Sequence, residues 1–121
     1  MKKIPNILIF DNNETNVSVI LDALEEIGEC SCRHISSLSK MSKALNKQTH
    51  PDLILCNATM KGIDTRTLCS NKIHNIPCIF ISVLKKSEER RSCYLGEQNR
   101  YITTPLLPGM IKSNIASLLH I

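Results

Sequence analysis

Five short apolar runs alternate with segments whose apolar residues recur every three or four positions, and few folds satisfy that alternation. Ile4 to Phe10, Asp52 to Cys56 and Pro77 to Ile81 read as strands. Their apolar residues run without polar alternation, as in strands buried on both faces. Glu29 to His34 and Arg100 to Thr103 are weaker strands. After the first run, Val17, Ile20, Leu21, Leu24 and Ile27 recur at helical spacing, and Gly28 ends that helix. Ser37 is placed to cap a helix bearing Leu38, Met41, Ala44 and Leu45. Further helices are predicted near Thr65–Asn71, Lys85–Leu95 and Pro108–Leu119, the last turning Ile111, Ile115, Leu118 and Leu119 inward.

Strand and helix thus alternate five times, which predicts an α/β fold. Right-handed crossovers make it a five-stranded, doubly wound parallel sheet with helices on both faces. No repeat, low-complexity stretch or linker divides the chain, so residues 1–121 are read as one domain. In such sheets ligands sit at the carboxyl ends of the strands. Those ends hold Asp11, Asn12, Asn57, Ser82 and Thr104.

Other function classes have little behind them. No apolar run approaches the ~20 residues needed to span a bilayer, and no secretory signal is evident, so a cytoplasmic domain without membrane attachment is expected. The net charge of +4 is spread along the chain and only 3% of residues are aromatic, which gives nucleic acid neither a basic stripe nor stacking platforms. Six cysteines form no C-x-x-C pair and Cys30-Ser31-Cys32 is too short for a zinc knuckle, so all are read as reduced, mostly buried thiols. His34, His50, His74 and His120 are scattered and read as surface or structural residues.

Four segments in order carry a resemblance. They are Ile7-Leu8-Ile9-Phe10-Asp11-Asn12-Asn13-Glu14, Pro51 to Gly62, Ile76 to Val83, and Tyr101-Ile102-Thr103-Thr104-Pro105. Together they resemble the receiver domain of two-component response regulators over nearly the whole chain. The resemblance implies the (βα)5 flavodoxin-like receiver fold. It also aligns Asp11 and Asn12 with the acidic pair, Asn57 with the phosphoacceptor aspartate, Ser82 with the hydroxyl residue, Tyr101 with the switch aromatic and Thr104 with the lysine.

The departures fall on the chemistry. Asn12 and Asn57 leave Asp11 the one carboxylate of the three, so magnesium binding is expected to be weak or absent. An amide oxygen is a far poorer attacking atom than a carboxylate. Thr104 cannot supply the positive charge of a lysine. The sequence therefore points to a pseudo-receiver: a non-enzymatic, phosphorylation-independent interaction module in which Asn12 and Asn57 hydrogen-bond to Asp11 in a metal-independent network. The resemblance implies protein partners, such as a histidine kinase or an attached output domain. Its usual output face spans about Lys85 to Leu119, where Lys85, Arg90, Arg91, Arg100 and Lys112 would favour an acidic partner. The competing readings are a small-molecule sensor using the strand-end pocket, and a receiver with residual metal or phosphate response.

Overall fold

The computed structural model describes residues 4–37, 40, 51–58, 76–83 and 99–121. They form β1 (Asn6–Phe10), α1 (Glu14–Ile27), β2 (Ser31–Ile35), β3 (Leu53–Asn57), β4 (Cys78–Ser82), β5 (Arg100–Thr103) and α2 (Pro108–Leu119). The strands make one parallel sheet in the order β2-β1-β3-β4-β5, the flavodoxin-like arrangement expected from the sequence.

The central strands are built to be covered on both sides. Every residue of β3 and β4 is buried. On one face Ile7, Ile9, Leu53, Leu55, Ile79, Ile81 and Ile102 pack with Val17, Ile20 and Leu24 of α1 and Ile111, Ile115 and Leu118 of α2. On the other face Leu8, Phe10, Ile35, Ile54, Cys56, Cys78 and Phe80 form a second buried cluster. Full burial of each such aliphatic or aromatic side chain contributes roughly 1.5–3 kcal/mol before the entropy of ordering is subtracted. At the amino ends, Asp52 ties β1 to β3: its N–H donates to Asn6 O, and its Oδ2 accepts from Asn6 N, both at 2.7 Å.

Helix termini follow local chemistry. Asn13 caps α1, its side chain accepting from Asn16 N at 3.0 Å. Gly28 ends that helix with φ of 132°, a region other residues rarely enter. In α2 Pro108 occupies the first turn, where a missing N–H costs nothing. His120 closes it in the left-handed conformation, and Ile121 N–H returns to Ala116 O.

Several expectations need correction. β2 runs from Ser31 to Ile35, not Glu29 to His34, because this edge strand has four exposed residues and little apolar signal. Leu21 shares the helical period of the core residues yet is exposed, since the buried stripe of α1 is narrower than the sequence pattern. The thiols also divide. Cys56 and Cys78 are buried, Cys30 is half-buried and Cys32 is exposed, because the last two lie at the sheet edge. Ser37 Oγ accepts from Lys40 N at 3.4 Å, but the rest of the helix it was expected to cap lies outside the described residues. So do the helices expected near Thr65–Asn71 and Lys85–Leu95, and Cys69 and Cys93.

Candidate functional site at the strand ends

Parallel strands deliver the side chains of their last residues to one end of the sheet, and there β1 and β3 bring two polar residues together. Asp11 follows β1 directly and is fully buried; Asn57 closes β3 and is 7% exposed. The Asn57 amide Nδ2 donates to Asp11 Oδ1 at 2.9 Å. An ionised carboxylate can only accept, which fixes the nitrogen of Asn57 toward it. The same Oδ1 accepts from the backbone N–H of Asn13 at 2.8 Å. The other oxygen, Oδ2, accepts from Asn16 Nδ2 at 3.1 Å.

Asn16 is the residue the sequence did not single out. It lies in the first turn of α1, its N–H on the Asn13 cap and its amide turned back to the buried carboxylate. An Asn there reads as ordinary helix-start polarity, and only the five-residue separation from Asp11 hints at the contact. Asn12, expected to be a hydrogen-bond partner of Asp11, is not one: it is exposed and lines the cleft above. The chain turns outward immediately after β1, and the carboxylate is met by Asn13 and Asn16 instead.

The backbone of this corner is pinned as well. Asp11 N–H donates to Ile35 O at 3.2 Å, and His34 Nε2 donates to Asp11 O at 2.7 Å, which sets its tautomer in the neutral ring. Ala58 N–H donates to Ile81 O at 2.7 Å, holding the chain in the ladder one residue beyond Asn57.

Across the cleft, Ser82 ends β4 and is buried, while Thr104 follows β5 and is half-buried. Thr104 N–H donates to Ser82 O at 2.9 Å, and Thr104–Pro105 is a cis peptide. Asn12, Asn13, Asn16, Asn57, Thr104 and Pro105 are among the residues lining a cleft of about 620 Å³. Tyr101 is elsewhere: half-buried on β5, it packs against the cluster containing Phe10 and Phe80.

The proposed output residues differ from their expected state. Lys112 is on the surface but pairs with Glu26 at 3.7 Å, and Arg100 is half-buried with its guanidinium donating to Asn99 O at 3.1 Å. Lys85, Arg90 and Arg91 lie outside the described residues.

The donor set does not fit magnesium. The ion wants several hard, preferably anionic oxygens in near-octahedral array. Among the described residues one carboxylate is held at this centre, both its oxygens already accept N–H bonds, and Asn57 turns nitrogen toward it.

No protein-family model and no curated protein matches the chain. Solved structures do. The phosphorylated cyanobacterial phytochrome response regulator RcpA superposes with a TM-score of 0.82 at 18% identity, over 97% of this chain and 95% of that one. A putative response regulator from Chloroflexus aurantiacus gives 0.81 at 21%, over 98% and 100%. The signal receiver domain of a signal transduction histidine kinase from Syntrophus aciditrophicus gives 0.75 at 26%, over 96% and 90%. The chain therefore has the fold of response-regulator receiver domains.

Proposed function

We propose that this chain is a degenerate receiver domain that acts in two-component signalling as a phosphorylation-independent, non-enzymatic protein-interaction module. The observation that carries the reading is the Asn57–Asp11 hydrogen bond of 2.9 Å. At the strand end where a receiver's acceptor is expected, an amide is spent as a donor to the remaining carboxylate. Such a centre has neither the attacking oxygen nor the charge that metal-assisted phosphoryl transfer needs. Thr104 in the lysine position supports the same reading, because a threonine supplies no positive charge to a transferred phosphoryl group. Partners are then proteins, a histidine kinase or a linked output domain, engaged through the surface. Among the described residues no helix is long and apolar enough to cross a membrane.

The deciding experiment is an amide NMR spectrum titrated with magnesium and then with beryllofluoride, a phosphoryl mimic. The reading expects no shifts at Asp11, Asn57 or Ser82 at millimolar magnesium. Saturable shifts at these residues that spread to Tyr101 would overturn it in favour of a residual metal and phosphate response.

A further inference from the structure

Cys30 and Cys32 flank Ser31 where β2 begins, at the amino ends of the strands and on an outer edge of the sheet. The register sets Cys32 opposite Ile7, whose side chain belongs to the cluster under α1 and α2. Cys30, two residues earlier, packs against the rim of that cluster. Cys30 and Cys32 are two residues apart at the start of the strand and both lie toward that cluster, so the two thiols share one face. Neither is in a disulfide, and unlike Cys56 and Cys78 neither is buried in the core.

The spacing suits a shared ion. Alternate strand residues are about 6.7 Å apart along the backbone. Thiolates leaning toward each other can close that gap on one metal, with sulfur–metal bonds of about 2.3 Å. Further ligands from the chain are missing: among the described residues no three His, Cys, Asp or Glu side chains converge on a metal position. His34 follows on the same strand but near its carboxyl end, where its ring meets Asp11 O, and it does not converge with the two thiols. Zinc, which takes four ligands in structural sites, is therefore poorly served. A soft ion content with two sulfurs is well served.

We propose that Cys30 and Cys32 form a two-thiolate site for a soft monovalent cation, with copper(I) the ion of matching chemistry. Binding forms two Cu–S bonds and breaks two S–H bonds; both protons pass to solvent and no electron is transferred. Both thiols resist ionisation, so an incoming cation must displace their protons. Burial raises both thiols, and at Cys32 the charge of Cys30 adds to burial and brings it to about 11.

The test uses the full chain, anaerobic and reduced, with copper(I) supplied as its acetonitrile complex against a chromophoric copper(I) chelator. Wild type is expected to retain one equivalent, and C30S and C32S each to surrender it with at least tenfold weaker retention. C30A serves as a second variant at the half-buried position, and circular dichroism confirms folding. The proposal falls if the chelator strips wild type completely, or if any of the folded single variants still holds the full equivalent.

Discussion

The two flanks of the strand-end cleft are neutralised in different ways. On the β1–β3 flank a buried charge persists, and Asp11 is satisfied by three N–H donors from Asn13, Asn16 and Asn57. On the β4–β5 flank the described strand-end residues are uncharged: Ser82 and Thr104 are tied through the backbone, the Thr104 N–H donating to Ser82 O. One flank keeps a carboxylate and saturates it with N–H donors; the other is joined through its backbone. The contrast teaches that amides and a backbone N–H can satisfy a buried carboxylate without a cationic partner.

Four substitutions probe that contrast, each read by chemical denaturation. Asp11→Ala removes the shared acceptor and strands three donors, so a loss of about 3 kcal/mol is expected. A loss under about 1 kcal/mol would show that the saturated flank is not structural. Asn57→Asp sets a second carboxylate against Asp11 and should cost about 2 kcal/mol at neutral pH. Millimolar magnesium should restore part of that deficit. Identical stability in wild type and variant, with and without magnesium, would sink the network idea.

Thr104→Lys addresses the opposite flank. Alone it should shift stability by under about 1 kcal/mol. Combined with Asn57→Asp it should recover about 1 kcal/mol, a coupling that a double-mutant cycle isolates. Simple additivity would mean that the two flanks do not communicate. His34→Ala removes only the donor to the Asp11 carbonyl and should cost about 0.5–1 kcal/mol.

How much of this was readable before the structure depends on what each residue faces. β3 and β4 announce themselves because all five residues of each are buried, leaving an unbroken apolar run. β2 does not: as an edge strand with sequence Ser-Cys-Arg-His-Ile it exposes four side chains, and its limits shift by one or two residues. The position of Asn57 follows from the run before it, so its place in the site was legible. The role of Asn16 was not, because a polar residue in a helix's first turn looks the same whether it faces water or a buried carboxylate. Cys32 was misjudged for the converse reason: its type favours burial, while its place in the sheet decides otherwise.

The ladder bond from Ala58 to Ile81 has a chemical consequence of its own. Asparagine ages to aspartate when the next residue's backbone nitrogen attacks the side-chain carbonyl carbon, closes a succinimide and expels ammonia. At Asn57 that nitrogen belongs to Ala58 and is held in the sheet, while the side chain is clamped to Asp11. Peptide mass mapping of aged protein should find position 57 intact while unstructured asparagine-containing controls deamidate. The Asn57 amide is thus durable, and no slow clock sets a second carboxylate beside Asp11.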